Sequence, residues 1–363
     1  MVLVTQPQEN KIVFLGFCLT FKYKNGIHRK NRSMTKPLTL LLCLFFPALV
    51  HAQVSFQTAG DLYYLRSAES KDTAVALAVQ HAQANTFTVN HVVVGVTYKD
   101  TTHGNFECVV ALQGGAYVTK NYSIQPELLR HLYDARVAVD IARYVRLNAG
   151  VFGSGFLGPY STLSVENPNA LFAMASDYSP YYLSGISGTY EKGTVTAMLG
   201  VFTGFQHIAD NNGSISPGFS FAWKPRKGYK FGVSGLYGNE ALRGDPQKVM
   251  SFFVPELEVP LARTVRCIVV GGYGTHGSSS WHTGSCTLEK LAGKYSYALR
   301  AEYLSDAGVW GIASPIYNAT LGLSRKLHSN LSVRIEGRVY TSSDALVPYQ
   351  KSPLLGMFVQ WKV

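Results

Sequence analysis

Residues 331–340 read LSVRIEGRVY, and their three charges fall on alternate positions. Successive side chains of an extended chain point to opposite faces. Leu331, Val333, Ile335, Gly337 and Val339 therefore share one face, with Ser332, Arg334, Glu336, Arg338 and Tyr340 on the other. A helix would scatter these charges around its circumference, so the stretch specifies a strand with one apolar and one charged face. Segment 133–141 repeats the pattern, with Tyr133, Ala135, Val137, Val139 and Ile141 opposing Asp134, Arg136, Ala138 and Asp140. In 295–304, Tyr295, Tyr297, Leu299, Ala301 and Tyr303 oppose Arg300 and Glu302.

Sixteen segments of this kind can be placed between residues 54 and 363, and the gaps between them alternate in length. Long gaps fall near 65–88, 118–130, 153–180, 203–216, 238–249, 275–280, 305–315 and 341–353. Short ones fall near 100–104, 142–144, 191–192, 225–228, 260–262, 291–292 and 324–329. A soluble sandwich has no reason to sort its loops this way. An antiparallel transmembrane β-barrel has short periplasmic turns, long extracellular loops and an even strand number. About sixteen strands are expected, with fourteen and eighteen as the neighbouring even counts. In 153–180 the polar Asn167 precedes Pro168, which predicts a short helix over 169–176. This loop either folds inward and narrows the barrel or packs over its rim.

The barrel is expected over residues 53–363. Upstream, MTKPLTLLLCLFFPALVHA (34–52) has a basic front at Lys36, an apolar core from Leu38 to Phe46, and a small-residue boundary at Ala52. This is the pattern of a secretory signal peptide. Its apolar run falls short of the roughly 20 residues that a spanning helix needs, and a retained signal anchor is the alternative. Residues 1–33 are either an extension upstream of the true start at Met34 or part of one long leader. Without residues 1–52, 26 basic and 21 acidic residues remain, a net charge of +5. The basic balance of the whole chain is thus no argument for nucleic acid. Charged residues make up only 15% of the chain, while Tyr numbers 22 and Gly 34. A wall facing lipid accounts for this balance, with Tyr63, Tyr98, Tyr237, Tyr303 and Trp361 near strand ends as interface aromatics.

Charges on a barrel's inner face need water or a partner. Glu107, Asp134, Arg136, Asp140, Arg300, Glu302, Arg334, Glu336 and Arg338 are the expected lumen-lining residues. Arg334 and Arg338 are expected to set ion preference. Enzyme chemistry has little support: neither G-x-S-x-G nor H-E-x-x-H occurs, and GGYGTHG (271–277) lacks the lysine-serine of a phosphate loop. His276 and His282 flank the turn near 275–280 as a weak metal pair, outweighed by their reading as exposed loop histidines. His207, Asp210 and Asp177 are the nearest approach to a catalytic group. No catalytic residue, cofactor or metal is expected. Cys267 and Cys286 lie across one hairpin whose register pairs positions summing to 555. Cys267 is expected as a free thiol on the lipid side, in phase with Val265 and Val269, with a Cys267–Cys286 bridge as the minor alternative.

Three stretches resemble the OmpL-like β-barrel porins common in Bacteroidota and related bacteria. NHVVVGVTY (90–98), followed by QGGAYV (113–118), is similar to the family's early strands. Residues 146–185, from RLNAGVFGSGFLGPYS to SPYYLSG, resemble its most characteristic segment, and GVFTGFQHIADNN (200–212) is similar to a strand entering an asparagine-rich loop. Val145-Arg146-Leu147 stands where the family has a tryptophan, and the chain ends in Val363 where many such barrels end in phenylalanine. Together with the inward charges, the resemblance implies a bacterial outer-membrane channel for passive diffusion of small hydrophilic solutes or ions. Its partners would be outer-membrane lipid and, during insertion, the barrel-assembly machinery. A structural or adhesive barrel with a plugged lumen is the alternative, an outer-membrane enzyme the remote one, and monomer and homo-oligomer both stay open. Mass spectrometry of the exported protein is expected to find Gln53 at or next to the N-terminus. A mature chain that retains residues 34–52 refutes the cleavage.

Overall fold

Backbone N–H and C=O groups find no water in hydrocarbon, so a sheet that crosses a membrane must satisfy every one internally and leave no edge. The computed structural model of the protein does this. It describes residues 52–67, 79–81, 83–102, 104–153, 157–306, 314–342 and 353–363. The expected leader over 1–33 and 34–52 lies outside these residues, apart from Ala52.

Sixteen strands form: β1 (Ala52–Arg66), β2 (Phe87–Asp100), β3 (Phe106–Gly114), β4 (Leu132–Ala142), β5 (Val145–Phe152), β6 (Leu183–Lys192), β7 (Val195–Phe202), β8 (Ser216–Trp223), β9 (Lys230–Asn239), β10 (Val249–Ala262), β11 (Val265–His276), β12 (Ser279–Ala292), β13 (Tyr295–Asp306), β14 (Ile316–His328), β15 (Leu331–Ser342) and β16 (Leu354–Lys362). Each pairs antiparallel with the next, and β1 closes on β16 from Ala59↔Lys362 to Arg66↔Leu355. No described helix is long and apolar enough to cross a membrane.

Alternation sets which face is which. On β15, Ile335 and Val339 are 59% and 52% exposed, whereas Glu336 and Arg338 are 1% exposed. Val94, Val110, Leu199, Leu321 and Leu355 are likewise exposed on the outside. A continuous apolar exterior of this extent is a lipid-facing surface, because soluble monomers rarely expose such patches. Among the two-residue turns, Gly193, Gly277 and Gly293 have φ of +59°, +62° and +63°, a conformation that suits glycine in tight hairpins.

Four expectations need correcting. The gap at 275–280 is no loop: His276 pairs with Ser279, and Gly277 and Ser278 alone turn the chain. The gap at 324–329 is mostly strand, since β14 runs to His328. The strand expected over 105–117 stops at Gly114. Gly115 has φ +112°, its Cβ position would lie 2.2 Å from the Asn90 carbonyl oxygen, and helix α1 (Ala116–Asn121) follows. No α-helix forms over 169–176: a 3₁₀ turn at Met174–Tyr178 covers the end of that stretch, and a run of bends separates it from another at Ser164–Glu166. The β11–β12 register pairs Cys267 with Leu288 and Val269 with Cys286, the expected sum of 555. Both thiols are free, on the outer face, with Sγ atoms 3.7 Å apart.

Arginine at Val333 or Ile335 is expected to cost about 2–4 kcal/mol near the bilayer midplane. Refolding into vesicles at increasing urea should show this loss, and insertion equal to wild type would place that face away from lipid.

Candidate functional site

The chain between β5 and β6 enters the barrel and climbs its inner wall as a strap. Its lowest part, near the short turns, is held by β16. Gln360 Nε2 donates to Ser164 Oγ at 2.7 Å, and Lys362 pairs with Glu166. Arg334 Nη1 then donates to the Asn167 carbonyl at 3.0 Å. Glu336 accepts two successive backbone N–H groups, from Ala170 at 2.6 Å and Leu171 at 2.9 Å. Arg300 and Arg338 converge on the next two carbonyls: each sends Nη2 to Leu171 O and Phe172 O, at 2.6–2.9 Å. Glu302 takes the Met174 N–H at 2.8 Å, and Tyr178 O–H donates to Asp306 at 2.8 Å near the opposite rim.

This ladder explains the missing helix. The Met174 N–H and the carbonyls of Leu171 and Phe172, which a helix over 169–176 would pair internally, bond to wall charges instead. Charge-assisted bonds of this kind are roughly twice as strong as neutral ones. The register brings the clamp together, since Arg300 lies opposite Thr320 and Thr320 opposite Arg338. Arg338 Nε donates to Thr320 Oγ1 at 2.8 Å and Nη1 to Tyr340 at 3.1 Å. Gly322 leaves room for Glu336, whose Oε1 would sit 2.8 Å from a Cβ there. Leu171, Met174 and Tyr178 pack into an apolar cluster with Tyr63, Leu65, Trp281 and Phe358.

The nine expected residues therefore divide into two groups. Arg300, Glu302, Arg334, Glu336 and Arg338 lie on the inner face but under the strap, all buried. Arg334 and Arg338, expected to meet permeating ions, bind strap carbonyls instead, because an inward charge without water must find a partner. Glu107, Asp134, Arg136 and Asp140 lie across the lumen in a ladder on β3–β5 that stays partly wet. Arg136 bridges Asp134 at 2.9 Å and Glu107 at 3.2 Å, and Arg146 bridges Asp140 at 3.0 Å and Glu107 at 3.2 Å. The side chains of Arg136 and Arg146 are 24% and 31% exposed. Lys99 joins at 3.1 Å from Glu107.

Sequence reasoning missed Lys99 and Arg146, and also Lys230–Glu256 at 2.6 Å and Arg266–Glu258 at 2.8 Å. The same alternation, carried through β2, β5 and β9–β11, would have found them. It could not have found the buried Asp61–His81–Asn90 group, in which Asp61 accepts from Asn90 and lies 3.1 Å from His81 Nε2. Asn90 sits where the β1–β2 register shifts, which brings it inward beside His91. The weak catalytic and metal candidates do not assemble. Asp210 accepts the N–H groups of Asn212 and Gly213 within its own turn, and His207 faces Glu240 at 3.7 Å. His282 bonds Tyr303 on the outer face, whereas His276 falls in phase with the inner face of β11. Among the described residues no group of three metal-binding side chains occurs.

A closed sixteen-stranded barrel with a strap inside is the architecture of porin-like outer-membrane proteins. The anion-selective porin from Comamonas acidovorans superposes with a TM-score of 0.59 at 11% identity, covering 86% of this chain and 99% of that one. The outer-membrane channel DcaP of Acinetobacter baumannii gives 0.58 at 8% identity over 86% and 98%, and OprB of Pseudomonas putida 0.56 at 9% over 93% and 100%. At such identities the likeness concerns the fold alone. No curated protein matches the sequence. Residues 53–353 match the family described as "Putative beta-barrel porin-2, OmpL-like", and the chain belongs to it.

Burial pushes the Asp177 carboxyl of the strap up to about 6, against hydrogen bonds from Tyr181 and Gln80 that lower it. The packed strap thus holds this proton more tightly than an unpacked one. Packing gains stability as pH falls through about 6, and the gain is complete below the ordinary carboxylate range. Asp177→Asn should remove that part of the pH dependence of the thermal midpoint. An unchanged profile would show that Asp177 does not titrate with strap packing.

Proposed function

We propose that the protein is a narrowed diffusion channel for small hydrophilic solutes or ions in a bacterial outer membrane of the Bacteroidota type, with the short turns in the periplasm. The observation that carries this reading is the split of the inward charges. One wall is neutralised against the strap, while Arg136 and Arg146 on the opposite wall remain partly exposed. Charges at a low-dielectric wall focus their field into the passage and bias what moves along it. The porin-like fold supports the same conclusion. Lipid around the apolar exterior, the assembly machinery during insertion and export through the leader at 34–52 complete it. No cofactor enters the mechanism.

The apolar packing of Leu171 and Met174 favours a second reading, in which the strap is a plug and the barrel is structural or adhesive. Single-channel recording separates the two. Wild type is expected to conduct, deletion of 159–176 to raise conductance severalfold, and Arg136→Glu with Arg146→Glu to move the reversal potential towards cations in a salt gradient. A silent wild type that conducts only after the deletion establishes the plug. Conduction with unchanged selectivity in the double variant removes these arginines from permeation.

A further inference from the structure

At the short-turn mouth, between the foot of the strap and the inner wall, lies a cavity of about 350 Å³. Its size falls within the range of small-molecule sites. The strap at 165–168 forms one side and the ends of β11–β16 the other. Five cationic side chains line it, against two carboxylates, Glu166 and Glu289. Both carboxylates are taken, Glu166 by Lys362 and Glu289 by Arg266. Among the described residues no carboxylate lies within ion-pair distance of Lys294 or Lys326. Arg334 also lines the cavity. Its nearest carboxylate oxygen, Glu336 Oε1, is 3.6 Å away and already accepts a strap N–H. Its buried Nε–H has no hydrogen-bond partner. Ser296, Ser324 and Ser332 add hydroxyls around the same space.

Unpaired cations and several hydroxyls around one concave site match one ligand chemistry. We propose that the short-turn mouth binds a small, multiply charged oxyanion, such as a phosphate-bearing solute. Lys294 and Lys326 supply most of the charge, and Arg334 adds to it from the cavity wall. The site rests on the channel reading for its purpose: it would draw such solutes into the lumen. The binding itself does not need conduction, which separates the two tests.

The experiment uses the full-length exported protein folded in detergent, with tripolyphosphate and inorganic phosphate as probes. Calorimetry at low salt should give saturable binding of tripolyphosphate, tighter than that of phosphate. Lys294→Glu with Lys326→Glu, both near the solvent-facing mouth, should weaken it at least tenfold. Lys294→Gln and Lys326→Gln, made singly, should each weaken it severalfold. In planar bilayers, tripolyphosphate added on the short-turn side should block current at lower concentration than on the other side. Equal binding by wild type and the lysine variant, or no binding by wild type, overturns the site. Saturable, lysine-dependent binding to a barrel that does not conduct upholds the site and rejects the channel.

Discussion

Every backbone polar group that lies in hydrocarbon must find its partner within the protein, and the rest of this structure follows from that demand. It forces the sheet to close, β1 onto β16, and a closed sheet of sixteen strands encloses more space than wall side chains can fill. It also sorts side chains by parity: once one face meets lipid, every charge in the strand must share the other. The inner charges then face a second demand, because a charge buried without a partner is far more costly than one that is paired. The strap meets it along β13–β16 by offering its own backbone. Its path is as much a product of Arg300, Glu302, Glu336 and Arg338 as of its own residues.

The two walls of the lumen are therefore chemically unlike. On the strap side, charge, carbonyl and apolar side chain interlock, and Leu171 has its backbone clamped by guanidinium groups while its side chain enters the apolar cluster. On the β3–β5 side, the ladder from Lys99 to Arg146 neutralises itself with some exposure to spare. A residue's inward direction alone does not say which of these roles it has. Arg136 and Arg338 are alike in strand phase and differ only in what stands opposite them.

That difference marks the boundary of what sequence could show. Strand number, strand phase, barrel closure and the β11–β12 register were all legible, because period-two alternation is a local signal that one backbone geometry produces. The inward direction of the charges was legible for the same reason. The strap's conformation was not, since Asn167-Pro168 is a fair helix start and only charges more than a hundred residues away overrule it. At 275–280 the register centred on 277 and 278 was legible, whereas the strand ends were not, because glycine and serine are common to open loops and tight turns alike. The bulge at Asn90 and helix α1 depend on the close approach of Gly115 to its neighbour strand, which no periodicity records.

The strap's contacts also have a direction in time. It is synthesised with β5 and β6, but the wall that holds it is the last quarter of the chain, 128 to 196 residues later. Gln360 and Lys362, which grip its foot, belong to the strand that seals the barrel against β1. The seam and the strap's lowest bonds are thus made by the same strand, on its two sides: its backbone completes the sheet while its side chains secure the interior. The bonds that seat the strap can form only once these last strands are in place.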